Sequence, residues 1–215
     1  MEITWYGHSC FRLTERNFVT VVTDPFDSKA IGYDPLKLKA EIVTVSHDAP
    51  GHNFSDAVKG TTHVLTGAGE FEIGGVFITA VQMDGAVKKS KDKVRNTVYV
   101  FDYDGLTVAH LGDLQQIPTQ SEIELLGTVN VALVPVGGGN SLNAAKAAEV
   151  VSMLEPNIVV PMHYATPDSK IKLDEINKFL KEMGLGKQEA QPALKVTRTS
   201  LPAETHVAVL QYQKG

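Results

Sequence analysis

Of the seven histidines in this 215-residue chain, four fall in polar turns that follow short apolar runs. The densest stretch is Thr44–Asn53, TVSHDAPGHN, where the run Ile42–Val45 gives way to a turn presenting His47 and His52. A second run, Ile158–Val160, delivers His163, and the turn Gly7-His8-Ser9 carries His8 between two apolar segments. A carboxylate, Asp113, follows the run Leu106–Leu111 in the turn Gly112-Asp113. Neutral imidazoles and carboxylates are ligands that zinc takes, at roughly 2.0–2.2 Å. Groups of these types at strand ends are candidates for a site at one edge of a sheet. The loop Gly137-Gly138-Gly139-Asn140 precedes a helix, where backbone N–H groups are able to hold an anion such as phosphate. Close backbone packing explains those glycines equally well.

The elements that must position these groups follow from hydrophobic period and turn chemistry. Ile3–Tyr6, Cys10–Leu13 and Phe18–Thr23 read as three short strands, the last stopped by Asp24-Pro25-Phe26. Asp27–Lys39 reads as a polar loop, and a short helix is expected near Phe54–Val58. His63–Thr66, Phe71–Ile73, Val76–Gln82, Thr97–Tyr103 and Leu106–Leu111 read as strands, with hairpin turns at Gly74-Gly75 and Asp104-Gly105. From there helices and strands alternate. Thr119 and Glu122 have the spacing of a capping box for a helix closed by Gly127. Val129–Val136 is a buried strand. Ala144, Ala147, Ala148, Val151 and Leu154 recur at helical spacing and stop at Pro156. Ile176, Phe179, Leu180 and Met183 form another amphipathic stripe, capped by Gly184. Leu194–Val196 and His206–Leu210 close the chain as strands. A strand-rich half followed by strand–helix units implies two packed sheets with helices outside, an α/β (α+β) architecture. With no repeat and no linker, residues 1–215 read as one domain.

The stretch from His47 to His52 resembles the His-x-His-x-Asp-His signature of the metallo-β-lactamase superfamily. His47 and His52 match its first and last histidines, while Ala49 and Gly51 stand where its second histidine and its aspartate belong. Three further segments resemble the family in the same order: Trp5-Tyr6-Gly7-His8-Ser9-Cys10-Phe11, His110-Leu111-Gly112-Asp113 and Pro161-Met162-His163-Tyr164. The likeness runs from Ile3 to about Thr166 and looks closest to the compact branch that includes the lactonase of ascorbate 6-phosphate. It implies a four-layer αβ/βα sandwich with its site at one edge of the two sheets. It also implies a metal set reduced from two ions to at most one. The first ion's third histidine is missing near Met83-Asp84-Gly85, which leaves His47, His52, Asp113 and His163 as metal ligands. Asp113, the family's bridging position, is also the catalytic candidate that would orient the attacking water or accept its proton. His8, Gly138, Gly139 and Asn140 are the candidates for substrate contact. The implied cofactor is one divalent transition metal, zinc first with manganese or iron as alternatives, or none. Restoring Ala49→His, Gly51→Asp and Gly85→His is expected to restore metal binding if the damage is local.

The remaining polar groups have plainer readings. Asp48 and Asp84 lie beside vacated ligand positions, but Pro50 stiffens the turn against substitution by Asp48. Asp24 is expected to hold turn backbone near the site, and Glu70 to be exposed. His110 reads as buried and satisfied, and His63 and His206 as structural strand residues. Cys10 has no base near it in sequence to make it a nucleophile.

Composition bounds the function. The apolar fraction of 43% and charged fraction of 21% are those of a soluble globular protein. One cysteine permits no internal disulfide and fits a reducing cytoplasm. No secretory signal is evident before the first strand, and no membrane span is expected. A net charge of -5 argues against nucleic-acid partners, and the basic run Lys88 to Arg95 reads as a solvated loop. Two functions remain: a metal-dependent hydrolase of a small ester, lactone or phosphorylated molecule, and a non-catalytic descendant that uses the cleft for binding or assembly. A homo-oligomer is compatible with either.

Overall fold

The computed structural model describes residues 1–83 and 95–214. The expected loop from Asp84 to Lys93, including Gly85 and most of the basic run, lies outside the described residues. Strands β1 (Glu2–Trp5), β2 (Phe11–Thr14) and β3 (Val21–Thr23) are followed by a one-turn helix α1 (Ser28–Ile31) and strand β4 (Leu38–Lys39). Then come β5 (Ile42–Thr44), β6 (Val58–Lys59), β7 (His63–Leu65), β8 (Gly69–Ile73), β9 (Val76–Gln82), β10 (Thr97–Tyr103) and β11 (Leu106–His110). Helix α2 (Gln120–Leu126), β12 (Val131–Pro135), α3 (Ala144–Leu154), β13 (Ile158–Met162), α4 (Ile176–Glu182), β14 (Leu194–Lys195) and β15 (His206–Val207) complete the order.

Two sheets result. The first runs β14-β1-β2-β3-β5-β7, the second β15-β13-β12-β11-β10-β9-β8, and β4 pairs with β6 as a separate ribbon. Period-2 alternation divides the first sheet's side chains between two apolar layers. Ile3, Phe11, Leu13, Val21 and Ile42 join the main core with Tyr99 and Phe101 of the second sheet. Cys10, Val22 and Val43 face the other way, against Phe26, Ile31, Leu36 and Leu38. Each large side chain buried in this way contributes roughly 1.5–3 kcal/mol. Helices α2 and α3 pack on β9 and β12, and α4 packs on α3. The architecture is the mixed α/β sandwich implied by the sequence, with an uneven outer covering. Among the described residues, α2 and α3 cover the second sheet with α4 packed on α3, whereas α1 and the β4–β6 ribbon lie over the first.

Two segments differ from the sequence reading for local reasons. Within the expected loop Asp27–Lys39, the Asp27 carboxylate accepts from Lys29 N at 2.9 Å and caps α1, which ends at Gly32 with φ 96°. The helix expected near Phe54–Val58 is a 3₁₀ turn, Ser55–Ala57, because Val58 is drawn into the parallel pairing Leu38↔Val58. Elsewhere the turn chemistry acts as read. The capping box of Thr119 and Glu122 is present, and Asp104-Gly105 and Gly74-Gly75 both lie at positive φ.

The parallel pairs matter most for function. β3 and β5 run parallel in the first sheet, and β11, β12 and β13 run parallel in the second. Their carboxyl ends release Asp24, Ser46-His47, Asp113, the Gly137–Asn140 loop and His163, so the loops that carry polar side chains emerge from one edge of the sandwich. Tyr99, from the middle of the second sheet, ties the two sheets there. Its hydroxyl lies 3.1 Å from Val45 O and 3.0 Å from Leu65 O.

Candidate metal centre

Five side chains converge on a cavity of about 350 Å³: His8, His47, His52, Asp113 and His163. All but His47 are buried. Their ligand atoms form two groups, each within 4.8 Å internally: His8, His52 and His163 in one, and His47, His52 and Asp113 in the other. His52 is common to both.

Local structure fixes which nitrogen each ring offers. His52 Nδ1 donates to Asp24 Oδ2 at 2.7 Å, which leaves Nε2 facing the cavity. Ser46 Oγ spends its proton on the same carboxylate at 2.6 Å, so toward His47 Nδ1, 3.1 Å away, it must accept. His47 therefore carries its proton on Nδ1 and turns the Nε2 lone pair toward Asp113. The same logic holds on the second sheet. Ser141 Oγ donates to Gly138 O at 3.0 Å and so accepts from His163 Nδ1, also at 3.0 Å. His163 Nε2 then faces Asp113 as a lone pair.

At His47 and His163 that arrangement leaves a ring lone pair facing the Asp113 carboxylate. His163 Nε2 stands 3.2 Å from Asp113 Oδ1, and this buried oxygen accepts no hydrogen bond among the described residues. His52 Nε2 is 3.4 Å from Asp113 Oδ2, His47 Nε2 is 3.8 Å from that oxygen, and His8 Nε2 is 3.1 Å from His52 Nε2. Two donors held 2.0–2.2 Å from one tetrahedral ion lie about 3.3–3.6 Å apart. The spacings and the lone pairs both fit a cation, and the donor set is the one a divalent transition metal takes.

The electrostatics agree. Burial works against charge on His52, but the carboxylates of Asp113 and Asp24 overcome it and push the imidazole up to about 10. Burial likewise opposes ionisation of Asp113, yet His163 and His52 hold its carboxyl well below the usual carboxylate range. Burial and then the neighbouring imidazoles hold His8 well below its ordinary value; burial foremost lowers His47 and His163. Three rings are thus neutral and able to ligate at neutral pH. The proton on the fourth marks where positive charge is most strongly attracted.

Backbone strain accompanies the site. His8, Asp24 and His163 lie in the left-handed region, at φ 50°, 40° and 52°. Each such non-glycine residue costs about 1–3 kcal/mol and persists where surrounding structure holds it. His163 N donates to His8 O at 3.1 Å, and Trp5 Nε1 donates to the same carbonyl at 3.0 Å, so two elements pin the β1–β2 turn. Asn96 clamps the other side, with Oδ1 accepting from Asp113 N at 2.8 Å and Nδ2 donating to Leu111 O at 3.0 Å.

The structure brings His47, His52, Asp113 and His163 together as the sequence implied, with Gly139 and Asn140 at the rim. Gly138 is different: it does not line the cavity, and its carbonyl serves Ser141. His8 lies deeper than a peripheral substrate contact, with Nε2 among the other rings. Gly51 is not at positive φ, and an added Cβ there would lie 2.7 Å from His8 Nε2. The obstacle to Gly51→Asp is therefore His8 rather than backbone conformation. Asp48 turns away, its Oδ1 accepting from Asn53 Nδ2 at 2.6 Å, and Glu70 is exposed on β8. His110 is buried and donates from Nε2 to Ser9 O at 2.8 Å, whereas His63 and His206 are exposed. Asp84 and Gly85 lie outside the described residues. Sequence reasoning missed Ser46, Ser141 and Asn96. Asp24 holds turn backbone as expected, accepting from Ser46 N at 2.7 Å, and its bond to the His52 ring is the part that the sequence did not show.

The family model described as a beta-lactamase superfamily domain matches residues 2–163. A metal-dependent hydrolase from Methanopyrus kandleri is 29% identical over 220 residues, covering 86% of this chain and 94% of the relative. A Pyrococcus furiosus protein is 29% identical over 193 residues, covering 77% and 84%. Among solved structures, a Thermotoga maritima protein assigned to the zinc-dependent hydrolases of the metallo-β-lactamase superfamily aligns with a TM-score of 0.78. It is 34% identical, with 97% of each chain covered.

Proposed function

Because the chain belongs to the metallo-β-lactamase superfamily and is a metal-dependent-hydrolase-like protein, we propose that it hydrolyses a small ester, lactone or phosphorylated molecule at a single-ion site. The observation that carries the single ion is the double membership of His52. Its Nδ1 is committed to Asp24, and its one remaining nitrogen belongs to both donor groups. One nitrogen ligates one ion, so the two groups cannot both be filled by their full sets. Zinc is the first choice for such a donor set. A divalent ion held there supplies the chemistry of hydrolysis by lowering the pKa of water to roughly 7 and polarising the scissile bond.

The chain's own residues do the rest. Asp24 orients the His52 ring, and Ser46 and Ser141 hold His47 and His163 each in one tautomer, so no proton must leave Nε2 of His47 or His163 before ligation. Asp113, held ionised, accepts a hydrogen bond from the attacking water and orients it; its depressed pKa suits orientation better than proton storage. The apolar lip formed by Ile31, Ile171 and Leu173 excludes solvent, and Gly139 and Asn140 at the rim are the residues we assign to substrate contact. A cavity of about 350 Å³ supports a small-molecule occupant.

The test is turnover of a panel of small esters, lactones and phosphomonoesters by the ion-loaded protein. Activity is expected to vanish with a chelator and return with one equivalent of zinc or manganese. Asp113→Asn is expected to lower kcat by about 10²-fold or more. Turnover indifferent to the chelator, or an ion-loaded protein that hydrolyses none of the three classes, would reject this reading.

A further inference from the structure

We propose that His8 is a metal ligand, making the inner set His8, His52 and His163, and that it occupies the ligand position a side chain at residue 51 would otherwise offer. This rests on the reading that the cleft holds a divalent ion. The ligand nitrogens of the three rings lie within 4.8 Å of one another, and all three residues are buried. His8 Nε2 is 3.1 Å from His52 Nε2.

Three further observations separate a ligand from a structural histidine. First, His8 Nε2 meets only another imidazole, whereas its Nδ1, like that of His110, is buried without a hydrogen-bond partner among the described residues and does not distinguish the two. His110 shows the structural alternative, donating to a backbone carbonyl. Second, the turn aims the ring. His8 sits at φ 50° with its carbonyl bound by both Trp5 Nε1 and His163 N, so the backbone of one ligand is tied to another. Third, the space is reserved at Gly51. A Cβ there would lie 2.7 Å from His8 Nε2 and 3.0 Å from Ile31 Cδ1, so the ring enters only because residue 51 has no side chain. A carboxylate reaching in from residue 51 and the imidazole of His8 would compete for one volume.

The consequence is a difference in charge. A carboxylate from residue 51 would neutralise one unit of the ion's charge; neutral His8 neutralises none. The cavity is then more electropositive by one charge when loaded, which favours an anionic substrate among the small molecules proposed above.

The experiment is titration of the full chain with zinc, and with cobalt(II) as a spectroscopic probe, for the parent and three variants: His8→Ala, His8→Gln and His8→Ala/Gly51→Asp. The parent is expected to bind one ion. His8→Ala and His8→Gln are expected to weaken zinc binding by more than about 10²-fold, beyond the roughly 10–100-fold that loss of an outer-shell partner brings, and to change the cobalt absorption. The double variant is expected to regain affinity to within about tenfold of the parent, with an altered cobalt spectrum. Circular dichroism and zinc-free melting identify any variant that does not fold, and His8→Gln, which keeps the volume filled, carries the test if His8→Ala fails. A folded His8 variant with parental affinity and spectrum overturns the ligand assignment and leaves the metal site standing. A folded double variant no tighter than His8→Ala overturns the shared-position claim. A parent that takes up no ion overturns the metal site and this assignment with it.

Discussion

Replacing His52 by alanine is expected to abolish divalent-ion binding and to destabilise the ion-free fold by about 3–5 kcal/mol at neutral pH. Both effects come from its position between two carboxylates. The ring donates to Asp24 at 2.7 Å and faces Asp113 at 3.4 Å, and Asp24 and Asp113 are both buried. Removing one partner of a buried ionic group leaves uncompensated charge, which costs about 3–5 kcal/mol. Ion binding fails because His52 belongs to both donor groups, so neither keeps three ligands.

The pH dependence has a definite sign. His52 is raised from its ordinary 6.5 to about 10 in the folded protein. Its contribution to stability is complete below pH 6.5 and is lost as pH rises through about 10. Urea unfolding in the presence of a chelator should therefore show a large penalty for His52→Ala at pH 6 and a much smaller one at pH 10. An equal penalty at both, or zinc affinity within tenfold of the parent, would show that His52 is not the charged centre of the site.

Gly112→Ala has the second largest expected effect. Gly112 is at φ 56°, and a Cβ there would lie 2.4 Å from Asn96 Oδ1 and 2.5 Å from Ser46 Cβ. The left-handed backbone alone costs a residue with Cβ about 1–2 kcal/mol, and overpacking adds about 1–3 kcal/mol. The two neighbours are also the supports of the site: Asn96 holds Asp113 N, and Ser46 fixes the tautomer of His47. Stability and zinc affinity should fall together. Gly127→Ala is the control, because Gly127 lies at φ 65° with nothing within 4 Å of the added Cβ. Thermal melting should show Gly112→Ala several degrees below Gly127→Ala. Equal melting temperatures would refute the close packing of the Asp113 turn.

Much of this site was legible in the sequence because its ligands end strands. His47, Asp113 and His163 each follow an apolar run that must pair in a sheet, and parallel pairing brings those ends to one edge. The hairpins and the capping box were legible for a similar reason, since glycine and Thr–Glu spacing act within a few residues. What escaped depends on contacts distant in sequence. Nothing near His8 says that its ring fills the space beside Gly51, because that follows from the absence of a Cβ forty-three residues away. Ser46 and Ser141 have no spacing signature; their role appears only when each serine's single proton is traced to its acceptor. Asp24 did leave a trace, an acid directly after a buried strand, but its reach to His52 depends on the parallel pairing of β3 with β5. The thin covering of the first sheet was hidden because a one-turn helix has too few residues to show a period.

A single divalent ion centred on His52 accounts for the geometry of the cleft. The most direct test is metal content per chain, measured on protein purified without chelator and again after zinc saturation and removal of loosely bound ion. The expected result is one tightly held ion per chain. Two ions at full occupancy would contradict the claim, since His52 offers one nitrogen to the cavity. So would a folded chain that retains none after saturation, which would instead make the cleft a binding site without metal chemistry.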